Sequence, residues 1–142
     1  MVTRKTNAIV FIGILITAGL VVFFTQVEAQ TTDEQKKALI GEWRGVWEGI
    51  ARVPSTLIIH EIDTANAKAR CTYTSSARGE KKYPVLADFT PGPNQKLQFK
   101  VEMGDLQFVL KKKVLEGTFR GINTAGQNVS MYIKMGENRK IN

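Results

Sequence analysis

The sequence predicts an all-β domain: an eight-stranded antiparallel up-and-down barrel, with a short helix before strand 1 and an N-terminal hydrophobic segment. Eight successive runs alternate between apolar and polar residues, which places one set of side chains on one face of a pleated strand. Short connections rich in turn residues join these runs and favour neighbouring antiparallel strands. Eight such strands can close so that no edge is exposed. A two-sheet sandwich or a partly open barrel is the alternative architecture.

The first 29 of the 142 residues have the pattern of a targeting segment. Arg4 and Lys5 precede an uncharged apolar run at residues 8–24, and Val27-Glu28-Ala29 offers a cleavage site before Gln30. The run is long for a signal peptide and at the short limit for a spanning helix. Both alternatives therefore stay open. The protein is expected to be exported, periplasmic or secreted, or else anchored in a membrane through residues 8–24.

The rest of the chain is expected to form one domain. Residues 30–40 form a linker with a short helix, which Thr32 or Asp33 could cap, and residues 41–142 form the barrel. The predicted strands are Gly41–Glu48, Thr56–Asp63, Ala67–Ser75, Lys82–Phe89, Lys96–Met103, Asp105–Lys111, Val114–Arg120 and Asn128–Met135. Most of them are apolar on one face only, which is typical of antiparallel sheets and not of parallel ones.

The inward face of these strands carries both bulky and very small side chains. The bulky residues that we expect to contact a ligand inside the barrel are Trp43, Trp47, Tyr73, Tyr83, Phe99, Phe108, Phe119 and Met131. Small residues such as Gly45, Cys71 and Gly117 share this face. If the small residues cluster, they leave a pocket for a small apolar or amphipathic molecule. If each faces an aromatic ring, the core is filled.

The start of the first strand resembles that of the calycin superfamily, which includes lipocalins, fatty-acid-binding proteins and avidins. The resemblance rests on a short helical turn followed by Gly41-x-Trp43, and on the count of eight strands. It implies a lipocalin-like barrel in which Trp43 packs across the closed end, with Arg139 as the arginine that could lie beneath it. The lipocalin Thr-Asp-Tyr motif is missing, and Gly45 and Gly49 stand near the positions of the avidin ligand groups. The resemblance therefore implies a fold and no particular ligand.

The sequence gives no local signal for catalysis, for a metal or for a cofactor. His60 is the single histidine, and strand alternation places Glu61 and Asp63 on the opposite face from it. Cys71 is the single cysteine, which excludes an intrachain disulfide and a cysteine-based zinc site. No glycine-rich nucleophile turn or phosphate loop is present. We therefore expect no enzymatic activity, no catalytic residues, no metal and no cofactor.

The formal net charge of the chain is +7, and the part after residue 29 keeps a charge of about +6. Such a surface suits an anionic membrane, a glycan or an acidic protein, whereas export argues against nucleic acid. An interaction or scaffold domain with a filled core is thus the alternative to a ligand binder. Its basic outer face would comprise Lys68, Arg70, Lys100, Lys111, Lys112 and Lys113.

Overall fold

A computed structural model describes residues 33–49 and 51–139 of the chain. The chain separates into two units, Met1–Glu34 and Gln35–Asn142, and the barrel belongs to the second. The predicted hydrophobic run at residues 8–24 and its cleavage site lie outside the described residues. Among the residues that are described, no helix is long and apolar enough to cross a membrane.

The second unit is a closed antiparallel barrel, which confirms the predicted fold class. Residues 33–39 are helical and lead directly into the first strand, as expected. The strands are β1 Gly41–Glu48, β2 Val53–Asp63, β3 Lys68–Ser75, β4 Lys82–Thr90, β5 Lys96–Val101, β6 Gly104–Lys111, β7 Val114–Ile122 and β8 Asn128–Arg139. Each strand pairs with the next in the sequence, and β8 closes the ring by pairing with β1.

The up-and-down connectivity gives the barrel two distinct ends. We call the end that carries the β1–β2, β3–β4, β5–β6 and β7–β8 connections the open end. The other end receives the helix and the remaining turns, and we call it the helix end. Odd-numbered strands run toward the open end and even-numbered strands run away from it. A residue's position along its strand therefore decides which half of the interior its side chain enters.

Most strand boundaries lie within a few residues of the predicted ones, and turn chemistry explains the differences. The Asp63 carboxylate accepts the Asn66 backbone N–H at 3.1 Å and its side-chain N–H at 2.7 Å, which holds the β2–β3 turn. Ala67, with which the third predicted strand began, belongs to this turn and has a φ of 52°. Its side chain is exposed and does not join the inward-facing residues of β3. Strand β5 ends at Val101 because Glu102 and Met103 form the tight turn before Gly104.

Buried side chains pack together at the helix end of the interior. Trp43 is buried, and its indole N–H donates to the carbonyl oxygen of Leu39 at 2.8 Å, which ties the first strand to the end of the helix. The layers around it consist of fully buried apolar side chains: Leu39, Leu57, Ile59, Leu97, Leu115 and Met135. The side chain of Arg139, expected beneath Trp43, lies outside the described part of the structure.

One ladder of the barrel is much shorter than the others. Strands β4 and β5 pair only at Asp88–Gln98, Phe89–Leu97 and Thr90–Lys96, all at the helix end. The neighbouring ladder between β3 and β4 runs over seven pairs, from Lys68–Asp88 to Thr74–Lys82. In the described structure, the half of β4 nearest the open end is therefore hydrogen-bonded to β3 but not to β5.

Candidate functional site

The open half of the barrel interior contains a cavity of about 650 Å³. Its walls are mainly apolar and come from the open-end portions of the strands, with polar side chains at its margin. The apolar wall residues are Trp47, Ala51, Val53, Tyr73, Ala77, Tyr83, Pro84, Val85, Val101, Met103, Leu106, Phe119, Ile122, Val129 and Met131. A cavity of this size and lining is typical of sites that bind small apolar molecules.

Four aromatic rings form a layer across the middle of the barrel, between the cavity and the helix end. We call Trp47, Tyr73, Phe99 and Phe108 the aromatic layer. Phe99 stacks on Phe108 with ring centroids 5.8 Å apart, while Tyr73 meets Phe99 edge-on at 5.8 Å and Trp47 meets Phe108 at 6.0 Å. These separations fall in the range of favourable aromatic pairs. The layer is thus a packed floor beneath the cavity.

A short chain of hydrogen bonds orients the polar atoms of this floor. The Trp47 indole N–H donates to the Tyr73 hydroxyl at 2.9 Å, and that hydroxyl donates to Ser55 Oγ at 3.2 Å. All three residues are buried, so each polar atom would be costly without its partner. Because these polar atoms satisfy one another, Trp47 and Tyr73, the two members of the aromatic layer that line the cavity, add no unpaired polar atom to its lining.

Two glycines of the inward face allow close packing and do not line the cavity. A Cβ atom placed on Gly117 would lie 2.6 Å from Phe108 Cε1 and 2.5 Å from Ile133 Cγ2. A Cβ atom on Gly45 would lie 2.6 Å from the backbone oxygen of Lys134. The cavity is therefore not left by a cluster of small residues, as one alternative required, since none of Gly45, Cys71 and Gly117 lines it.

The eight residues expected to contact a ligand divide between the cavity and the rest of the interior. Trp47, Tyr73, Tyr83, Phe119 and Met131 line the cavity. Trp43, Phe99 and Phe108 do not line it, because Trp43 lies at the helix end and the two phenylalanines lie within the floor. The sequence analysis missed the valines of the wall, at positions 53, 85, 101 and 129. Their inward phase and their position near the open ends of the strands could have identified them.

His60 is placed differently from the expectation because β2 contains a bulge. The register between β2 and β3 shifts between Ile59–Cys71 and Glu61–Arg70. His60 and Glu61 are consequently both excluded from the core, and the expectation that they occupy opposite faces is wrong. A His60 ring nitrogen contacts Thr72 Oγ1 at 2.8 Å, whereas Glu61 contacts Arg70 at 3.4 Å.

Cys71 lies inside the barrel wall with 1 % of its surface exposed. Burial raises the pKa of its thiol to about 12, since the thiolate is poorly solvated there. A thiol of this kind is protonated at neutral pH and is a poor nucleophile. Elsewhere in residues 33–49 and 51–139, no three metal-ligating side chains converge.

The basic residues expected to form an interaction face are dispersed, and half of them have acidic partners. Lys68 pairs with Asp88 at 2.5 Å, Arg70 with Glu61 at 3.4 Å and Lys111 with Glu116 at 2.6 Å. The Glu116 contact raises the pKa of Lys111. Lys112 and Lys113 form the β6–β7 turn at the helix end, whereas Lys100 lies near the open end.

Comparison with family models, with curated proteins and with solved structures found no significant match. The closed eight-stranded antiparallel barrel is consistent with a calycin-like fold.

Proposed function

We propose that this domain is a non-catalytic, lipocalin-like binder of a small apolar or amphipathic molecule, which it holds in the open half of the barrel. The observation that carries the proposal is the cavity of about 650 Å³ with mostly apolar walls above the aromatic layer. A barrel of eight strands can be filled by side chains or can hold one small ligand. In this barrel the side chains fill only the helix half.

The kind of ligand follows from the chemistry of the walls. Valine, methionine and aromatic side chains offer dispersion contacts and release water from apolar surface, and they provide few groups for polar recognition. The floor adds no unpaired polar atom of Trp47, Tyr73 or Ser55. Such walls favour molecules recognised by shape and apolar area, for example a single acyl chain.

The cellular location belongs to the same proposal. The N-terminal pattern of Arg4 and Lys5 followed by the apolar run at residues 8–24 supports export, with the binding domain outside the cytoplasmic membrane. Sequencing the N-terminus of protein purified from its host distinguishes cleavage before Gln30 from a retained anchor. An intact chain found in the cytoplasm would contradict the proposed export. It would not affect the binding proposal, which is tested separately.

The binding proposal is tested with an environment-sensitive apolar fluorophore and with native mass spectrometry of protein from the host. We expect saturable binding to the wild type, weakened about tenfold or more by Val85→Trp, because the indole occupies space that the ligand needs. Two displaced methylenes alone, at about 0.8 kcal/mol each, produce such a loss. Val101→Phe is a milder variant with the same expected direction.

Val109→Trp is the matched control, since Val109 lies on the same barrel but not on the cavity wall. It should bind the fluorophore as the wild type does. If the folded wild type binds no apolar probe and carries no co-purified lipid, the binding proposal fails. The interaction or scaffold domain is then the better account.

A further inference from the structure

We infer that the cavity also opens sideways, between β4 and β5, and that Lys100 at this opening binds the anionic head group of a single-chain amphiphile. The inference rests on the proposed function and adds a ligand class and an orientation to it. The first observation is the short β4–β5 ladder, which ends at Asp88–Gln98 and leaves the two strands unpaired toward the open end.

The second observation is that a residue of outward phase on each side of this break, Pro84 on β4 and Lys100 on β5, lines the cavity. Ile122 is also in the outward phase and lines the cavity, but it is the last residue of β7 and lies at the open end. Strand alternation turns Pro84 and Lys100 away from the interior, since their neighbours Val85 and Val101 point inward. Both nevertheless contribute to the cavity lining. A residue of outward phase can reach the cavity if the wall beside it is interrupted. The short ladder and these two residues together support an opening of the cavity to the outer surface between β4 and β5.

The third observation is the charge at this opening. Lys100 is the only lysine or arginine among the described residues that line the cavity, and it forms no ion pair with any described residue. On the β4 side, Lys81 Nζ lies 5.6 Å from the centre of the Tyr83 ring, which also lines the cavity. Glu102 lines the cavity as well and has an interaction of its own. Lys100 thus adds a positive charge to a lining that is mainly apolar, and Lys81 adds a second one near the Tyr83 ring on the β4 side.

An amphiphile with one apolar chain and one anionic group matches this arrangement. The chain would lie in the cavity, and the head group would lie between the strands within reach of Lys100. Continuing the β4–β5 register by two residues places Leu86 opposite Lys100, and Leu86 is 66 % exposed. An exposed leucine beside a lysine is suited to the junction between chain and head group. A carboxylate or a phosphate monoester would serve equally as the anion.

The test uses dansyl-labelled undecanoic acid and its methyl ester, which share one chain and differ in charge. We expect wild-type protein to bind the acid more tightly than the ester. Lys100→Gln should weaken binding of the acid by about two- to fivefold, which is the range for an exposed ion pair, and should leave the affinity for the ester unchanged. Raising the salt from about 0.05 M to about 0.5 M should reduce the preference for the acid, since exposed charges are screened.

Lys96→Gln is the matched control, because Lys96 lies on the same strand within the paired part of the ladder. It should leave both affinities unchanged. Displacement of the acid by dodecanoate or by dodecyl phosphate shows which anion the opening prefers. The inference is refuted if the wild type binds acid and ester equally, or if Lys96→Gln weakens binding of the acid as much as Lys100→Gln does. It is also refuted if dodecyltrimethylammonium displaces the labelled acid as well as dodecanoate does. If neither probe binds at all, the proposed function fails with it.

Discussion

Replacing Tyr73 with phenylalanine tests whether the floor of the cavity is held by its buried hydrogen-bond chain. The substitution keeps the ring that packs edge-on against Phe99 and removes only the hydroxyl. The Trp47 indole N–H then loses its acceptor at 2.9 Å, and Ser55 Oγ loses its donor at 3.2 Å. Trp47 is 3 % exposed and Ser55 is 5 % exposed, so both groups are left in a poorly hydrated site.

The expected loss of stability follows from the two buried groups that lose their hydrogen-bond partner. A buried donor without an acceptor costs about 1–3 kcal/mol, and the Ser55 hydroxyl can rotate, so it adds less. We expect Tyr73→Phe to lower the free energy of unfolding by about 1.5–3 kcal/mol. With a urea m-value of about 1–3 kcal/mol/M, the midpoint should fall by roughly 1 M. Urea titration followed by tryptophan fluorescence measures this shift and also detects a change around Trp47.

Two further variants separate the hydrogen bonds from a general effect of losing a hydroxyl. Tyr83→Phe is the matched control, because the Tyr83 hydroxyl has no hydrogen bond to a described residue and should cost less than about 0.5 kcal/mol. In a Ser55→Ala background, Tyr73→Phe should lower the free energy of unfolding by about 1 kcal/mol less than it does in the wild type. The reason is that the Ser55 hydroxyl, which Tyr73→Phe leaves without a partner, is already absent. Equal costs for the two tyrosines, or strict additivity with Ser55→Ala, would refute the reasoning.

Two other predictions concern packing and pH. Gly117→Ala should destabilise the domain by about 1–3 kcal/mol in urea titration, because the new methyl group overlaps Phe108 and Ile133. Gly136→Ala, whose Cβ would meet nothing within 4 Å, should not destabilise it, and equal losses would contradict the packing argument. The thiol of Cys71 has an ordinary pKa of 9.0, and burial in the folded protein raises this pKa to about 12. The free energy of unfolding should therefore fall as the pH rises above 9.0, because the thiol ionises in the unfolded chain but keeps its proton in the folded one. At pH 10 wild type should have lost about 1.4 kcal/mol more than Cys71→Ala, relative to each protein at pH 7, and parallel pH profiles would exclude this role for burial.

The barrel was predictable because its determinants are local. Alternation fixed the inward phase of Trp43, Trp47 and Tyr73, and turn residues separated the strands. The bulge in β2 was missed because the run of apolar residues from Leu57 to Ile59 fits either phase. Its signal was nevertheless present, since buried Ile59 and Ile62 are three residues apart, which an uninterrupted strand cannot place on one face.

The site was predicted less completely, because its location depends on contacts between distant strands. Phe108 has the inward phase expected of a ligand contact, yet it lies in the floor, where Gly117 on the next strand makes room for its ring. Alternation shows which face a residue occupies but not the depth at which rings from different strands meet. The break between β4 and β5 also has no clear local signal, apart from Pro84, which cannot donate a backbone hydrogen bond.

The cavity results from short side chains at inward positions that could have carried longer ones. Toward the helix end, inward positions hold Trp43, Phe89, Leu97 and Leu115, which meet across the interior. Toward the open end, the comparable positions of β2, β4, β5 and β8 hold Val53, Val85, Val101 and Val129. Valine keeps the β-branched shape that suits a strand but does not reach the centre of the barrel. Valines at these positions therefore keep full strand propensity around the cavity while leaving it unfilled by side chains, which the proposed binding of a small apolar molecule requires.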